Sequence, residues 1–207
     1  MLGFSKGPTQ AGALATTAHD QIAYKGSRGN VAKILKRVGL LEQRAGETPS
    51  QTVDRLIADR NGKLHFGSLI RCTVERKEDE AWKGSGGGML DKFVGTPFGR
   101  SVSENCVSAF LKDRPPATKL IVMFGMGSNL NYVRESFGLY QTVCSGKWRW
   151  INDVAYTDGS VTVVHVEHFA SQGNLIPRWL GETQHARAHL GQQAAHAAAE
   201  SGHSILG

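Results

Sequence analysis

Apolar positions along this chain recur with two periods that take turns. In NVAKILKRVGLLEQ, Val31, Ile34, Leu35 and Val38 fall at helical spacing, and Lys33, Lys36 and Arg37 lie mostly on the other face. Asn30 reads as the N-cap of that helix. SQTVDRLIADR repeats the helical period, with Ser50 as cap and a turn at Asn61–Gly62. KLHFGSLIRCTV switches to alternating and β-branched residues and predicts a strand. SVSENCVSAFLKDRP returns to a helix that stops before Pro115–Pro116. TKLIVMFGMG is a short continuous apolar run ending in glycines, the pattern of a buried parallel strand that opens into a loop. SNLNYVRESFGLYQTV predicts the next helix. WRWINDVAYTDGSVTVVHVEHFA predicts a strand, a turn at Asp158–Gly159 and another strand. NLIPRWLGETQHARAHLGQQAAHAAAE is helical after Pro177, with Gly191 and the alanine-rich end weakening its last turns. Between these elements, residues 3–29 read as loop with a short helix around Gly12 to His19, and ERKEDEAWKGSGGGML reads as a surface loop.

Strands alternating with helices predict a three-layer α/β/α domain with a mainly parallel central sheet. The domain spans residues 1–181, and 182–207 form an Ala/His-rich tail, a solvated or fraying helix. In such sheets ligands bind outside the carboxyl ends of the strands. That directs attention to LGFSKG, SLIRC and VVHVEHFASQGN.

Composition changes this picture little. The 207 residues are 40% hydrophobic and 20% charged, which excludes a disordered chain. No apolar run reaches the roughly 18 residues of a membrane helix, and the N-terminus shows no signal-peptide pattern. Three scattered cysteines do not make a disulfide framework, so a reducing, cytoplasmic setting is expected. The net charge of +6 admits a polyanionic partner without itself calling for one.

Five segments, in order, resemble the uracil-DNA glycosylase superfamily, over most of residues 2–181. LGFSKGPTQAG is similar to the family's first motif, a strand end of the form G-x-x-x-G followed by a loop. AYKGSRGNVAKILKRVGL resembles the segment carrying the aromatic residue that stacks on the flipped base, and Tyr24 takes that place. FGSLIRC resembles the strand whose polar residue reads the base edge, here Ser68 rather than the common Asn. SENCVSAFL and TKLIVMFGMG resemble the following helix and strand. HFASQGNLIPRWLG is similar to the second motif, with His168 in the histidine position. In that family the first motif ends a central strand, and here only Met1 and Leu2 precede Gly3. The resemblance therefore implies that the strand begins upstream; the alternative is that Met1 is the true start and the sheet closes another way.

The resemblance implies excision of uracil or a related deaminated base, flipped out of single-stranded or duplex DNA, by a monomer needing no cofactor. Such chemistry needs an extruded base, water at the sugar carbon and donors for the departing base anion. His168, as a neutral imidazole donor, and Ser5, holding water, are the implied catalytic residues; His165, three residues earlier, faces the other way. Tyr24, Ser68 and Phe4 are the implied base contacts. Ser68 cannot make the paired hydrogen bonds of an Asn amide, so base preference stays open. Phe4 and Ser5 stand where the family places Asp, Glu or Asn, with Gln10 or Asp20 as substitutes. Lys6, Ser171 and Asn174 are the implied DNA-phosphate contacts; Lys6 as a nucleophile and Asn174 as a helix cap are alternatives. Some members of the family hold an iron-sulfur cluster. Cys72 and Cys106 stand where two of its ligands fall, which leaves either remnants of a cluster complete only in a longer chain or plain structural cysteines, as for Cys144.

Other features carry less. GSGGG at 84–88 lacks the lysine of a P-loop. Trp148 and Trp150 alternate with Lys147 and Arg149, either a core face or a nucleic-acid surface, and His185 and His189 lie one helical turn apart. Two rival functions remain: the same fold binding DNA without cutting it, and a nucleotide-handling α/β enzyme unrelated to DNA.

Overall fold

A computed structural model describes residues 1–84, 93–171 and 173–202. Its strands are β1 (Leu2–Gly3), β2 (Gly67–Ser68), β3 (Glu75–Glu78), β4 (Ala81–Gly84), β5 (Leu120–Phe124), β6 (Arg149–Asn152), β7 (Ala155–Thr157) and β8 (Thr162–Val166). Its helices are α1 (Pro8–Ala13), α2 (His19–Ile22), α3 (Arg28–Arg37), α4 (Pro49–Ala58), α5 (Pro97–Phe110), α6 (Asn131–Val143), α7 (Leu175–Leu180) and α8 (Arg187–Glu200). Six strands form one sheet in the order β2-β1-β5-β8-β7-β6. The pairings of β1 with β2, β1 with β5 and β5 with β8 are parallel, and β7 and β6 add an antiparallel edge. This is the α/β domain with a mainly parallel sheet that the alternation predicts.

The apolar run of β5 lies where a fully buried strand belongs. It pairs with β8 over five residues, Leu120↔Thr162 to Phe124↔Val166, and Val163, Val164 and Val166 have no exposed surface. β1 is also interior to the sheet, but its pairing is short: Leu2 and Gly3 align with Gly67 and Ser68, and Leu2 with Met123.

Several elements depart from expectation, each for a local reason. α3 starts at Arg28, so Asn30 sits inside the helix and spends its side-chain amide on the Phe169 carbonyl (3.0 Å) instead of capping. The cap of α4 is Thr48, not Ser50, in a capping box with Gln51: Gln51 N–H donates to Thr48 Oγ1 (3.3 Å) and Thr48 N–H to Gln51 Oε1 (2.8 Å). α5 begins one turn early, because Thr96 accepts from Gly99 N–H (3.0 Å) and Pro97 takes the first position. Of KLHFGSLIRCTV only Gly67–Ser68 enters the sheet, since β1 offers no longer partner. Instead of a loop, Glu75–Gly84 folds into a separate two-stranded ribbon; the rest of the glycine-rich stretch, from Ser85, lies outside the described residues. Residues 3–29 hold α1 and α2 rather than one helix near Gly12. A second turn splits the first part of WRWINDVAYT, where Asn152 Oδ1 accepts from Val154 N–H (3.0 Å).

The last helix is a core element rather than a solvated one. α8 packs on β8, β7 and α7, and Ala194, Ala197 and Ala198 are fully buried. Gly191 belongs to this contact: a Cβ there would stand 2.1 Å from the Trp179 carbonyl oxygen. Small residues let the helix approach that closely, so its alanines are a packing face.

Candidate functional site

A cleft of about 270 Å³ opens at the carboxyl ends of β1 and β2, where ligands bind in sheets of this kind. Three separated stretches build its walls. Gly3 at the end of β1 leads into Ser5, Lys6 and Gln10; His19 and Tyr24 come from α2 and the turn after it; His65 and Arg71 from either side of β2. Phe169 closes one side from the loop after β8. Of the residues implied by the sequence, Ser5, Lys6, Tyr24 and Ser68 share this cleft, and so does Gln10. Asp20 is not on its wall.

Phe4 does not join them. Gly3 and Ser5 line the cleft, and the alternation of an extended segment turns the residue between them the other way. Phe4 is buried edge-on against Phe93 (6.1 Å) and Tyr132 (5.8 Å). It is a core residue and not a base contact.

Tyr24 holds its place at a cost. Its φ is +56°, in the left-handed region that a bulky residue rarely adopts. The turn persists because the ring is clamped edge-on by Phe66 (5.9 Å) and Phe169 (4.8 Å) and at a tilt by Phe124 (5.6 Å). Burial raises its hydroxyl pKa above the usual value, so the ring stays neutral. Strain of about 1–3 kcal/mol held at a cleft wall is a feature of sites where geometry serves binding.

The two histidines of β8 and the loop after it separate as expected. His165 has no exposed surface. Its Nδ1–H donates to the Gly125 carbonyl (3.0 Å), which leaves Nε2 as acceptor toward the Tyr156 hydroxyl (3.4 Å). Burial lowers its pKa to about 4. His168 is half-buried and stacks on Phe169 (4.3 Å, 29°), one residue behind the cleft wall. Its Nδ1 accepts from Ala170 N–H (3.2 Å), so the neutral ring carries its proton on Nε2. Burial lowers the His168 pKa and favours that neutral form. The Phe169 ring, rather than the imidazole, forms the wall.

The loop that carries these residues is anchored from beneath. Glu167 is 3% exposed and accepts from His168 N–H (3.0 Å), Ser171 Oγ–H (2.7 Å) and Arg187 Nε–H (2.5 Å). Ser171 thus gives its hydroxyl proton to a carboxylate, and neither it nor Asn174 stands on the cleft wall. Asn174 occupies the N-cap position of α7 without a side-chain capping bond.

The cleft also contains residues that the sequence did not single out: His19, His65, Phe66, Arg71 and Phe169. Arg71 lies three positions past Ser68, in a strand-like stretch where a lone basic residue carries no signal of its own. Its guanidinium sits 4.9 Å over the Phe110 ring, and its Nε is buried without a hydrogen-bond partner. Lys6 Nζ donates to the Arg71 carbonyl (3.0 Å). The Met1 amine donates to the His65 carbonyl (2.8 Å), and burial lowers that amine's pKa to about 5. The His65 pKa is lowered by burial first, then by the neighbouring amine, Arg71 and His19. Among the described residues that line the cleft there is no Asp or Glu.

The cysteines do not gather. Cys72 is exposed, while Cys106 and Cys144 are buried, and among the described residues no group of three or more His, Cys, Asp or Glu side chains stands ready for a metal ion. His185 Nδ1 accepts from Arg187 N–H (3.0 Å), and His189 faces Gln193 (3.0 Å). Trp148 is buried, and Trp150 is 42% exposed, stacked on Phe137 (4.2 Å). Among the described residues no helix is long and apolar enough to cross a membrane. No protein-family model, no curated protein and no solved structure matches this chain.

Proposed function

We propose that the cleft receives one nucleobase extruded from DNA and that the chain cleaves its N-glycosidic bond, in the manner of the uracil-DNA glycosylases it resembles. One observation carries this reading: Ser5, Lys6, Tyr24 and Ser68, remote in sequence, line a single cleft at the strand ends. Aromatic side chains form part of its wall, and base–aromatic stacking contributes about 1–3 kcal/mol per base. At about 270 Å³ the cleft lies at the small end of ligand sites, which run to roughly 300–1,000 Å³. That volume suits one base with its sugar.

In this mechanism Tyr24 and Phe169 hold the base and Ser68 gives or takes one hydrogen bond at its edge. The bond between the sugar carbon and the base nitrogen breaks with its electron pair leaving on the base. Donors near the base oxygen stabilise that anion; Ser68 Oγ–H is the donor on the wall for it, since His168 stands behind Phe169. Water held by Ser5 and Gln10 adds to the sugar carbon and releases its proton to solvent. A second reading is binding without cleavage, and the carboxylate-free lining favours it, because nothing there is a strong base toward water.

Incubation with uracil-containing single-stranded and duplex oligonucleotides separates the two. Alkali-labile abasic sites, lost in Tyr24→Ala, are the expected result. Salt-sensitive binding with no abasic product would leave the binding module alone.

A further inference from the structure

We infer that the basic end of the cleft, formed by Lys6, His19, His65 and Arg71, is a proton-linked subsite for the phosphodiester that flanks the extruded nucleotide. The inference rests on the reading that the cleft takes a base from DNA. It adds a group of residues, a ligand chemistry and a pH dependence that this reading does not contain.

Four basic side chains line the one cleft, with no carboxylate among the described lining residues to balance them. Several half-buried arginines are matched: Arg55 with Glu47, Arg114 with Asp158, Arg187 with Glu167. Arg37 and Arg71 each keep a buried Nε without a partner, and of the two Arg71 lines the cleft. Arg71 leans on the face of Phe110 (4.9 Å). A planar guanidinium with an unspent donor fits a phosphate better than any neutral group does. Gly67 leaves room for it, since a Cβ there would come within 3.1 Å of Arg71 Nη1. The Lys6 ammonium makes one bond to the Arg71 carbonyl (3.0 Å) and has two further protons to offer.

His65 supplies the proton linkage. Within the cleft the basic groups that act on it are Arg71 and His19. Protonation of His65 in the empty cleft adds charge to charge. An anion in the cleft reverses the sign of that interaction, so binding takes up a proton. Affinity therefore rises as pH falls from 8 to 6, and only for ligands that carry the negative charge.

The test uses the full chain and single-stranded DNA pentamers with a central 2′-fluoro-2′-deoxyuridine, which resists hydrolysis. Their linkages are either all phosphodiester or carry one neutral methylphosphonate, 5′ or 3′ of the fluorouridine. Kd is read by fluorescence anisotropy at pH 6 and pH 8. One of the two methylphosphonates is expected to weaken wild-type binding about tenfold. Arg71→Gln should lose the same factor on the all-diester pentamer and nothing more on the substituted one. His65→Gln should shrink the affinity ratio between pH 6 and pH 8, and His65→Gln with His19→Gln should abolish it. These variants provide an independent result if Arg71→Gln does not fold, as judged by circular dichroism. Wild-type protein that binds both methylphosphonates as tightly as the diester overturns the inference, as does full additivity between variant and substitution. Diester-dependent binding without abasic product in the uracil assay leaves this subsite standing and removes catalysis. Cleavage with charge-insensitive binding does the reverse. No binding to any pentamer at low salt removes both.

Discussion

The two halves of the central sheet are built differently. On one side β5, β8 and β7 pair in register over five and three residues, are buried apart from Leu120, and leave His165 with both ring nitrogens engaged. On the other side β1 and β2 pair over two residues, and beyond them the chains keep contact through single backbone bonds and an isolated Lys6–Thr73 bridge. Long pairing fills the space between strands with side chains. Short pairing leaves a gap at the strand ends, and basic and aromatic residues line it. The charges follow the same division. Glu167 and Arg187, in the half where α8 packs, neutralise one another, whereas Lys6 and Arg71 face the cleft without a carboxylate. Both halves contribute to the core, but the cleft with its basic lining belongs to the second.

Substitutions should divide along that line. Tyr156→Ala removes a fully buried ring that touches Phe137, Tyr140 and Trp148, and should cost about 3–5 kcal/mol in urea denaturation. His165 gives a pH signature. Between about pH 4 and 6.5 the unfolded chain binds a proton that the buried ring refuses. Its contribution is complete above pH 6.5 and is lost as pH falls toward 4, up to about 3 kcal/mol. His165→Gln should flatten that part of the stability–pH curve even where it lowers the curve as a whole.

Arg187→Ala leaves Glu167 buried with its two remaining donors and should cost about 2 kcal/mol. Because Glu167 anchors the loop that carries Phe169, ligand affinity should fall as well. Thr48→Ala, which breaks the capping box, should cost about 1 kcal/mol. Ser68→Ala, on the cleft wall, should change stability by less than about 0.5 kcal/mol while altering discrimination among bases. A loss of several kcal/mol from Ser68→Ala would mean that the cleft half is load-sharing core, and the contrast between the halves would fail.

Particular residues show how far the sequence could be read. LIVMF was legible as a buried strand because a continuous apolar run has few other uses. The capping box was missed although its pieces, Thr48 and Gln51, were in view, because Ser50 offered a nearer cap. Tyr24, Ser68, Ser5 and Lys6 were named together through the resemblance, and the cleft does gather them. Phe4 was misplaced beside Ser5, an error that strand alternation alone could have exposed. Arg71, His65 and His19 carried no signal, since an isolated basic residue looks the same on any solvated surface. The closing helix looked like a tail because alanine is neutral about burial until its neighbour is known.

By itself the sequence determined the main alternation of helices and strands, the depth of β5, and that His165 and His168 face different ways. Those properties follow from periodicity and from whether a segment can face water on any side. Tertiary structure decided which short strands meet, which arginines find a carboxylate, and that Lys6, His19, His65 and Arg71 line one cleft. Such outcomes depend on chain segments more than 60 residues apart coming within a few ångströms. No local pattern encodes that distance.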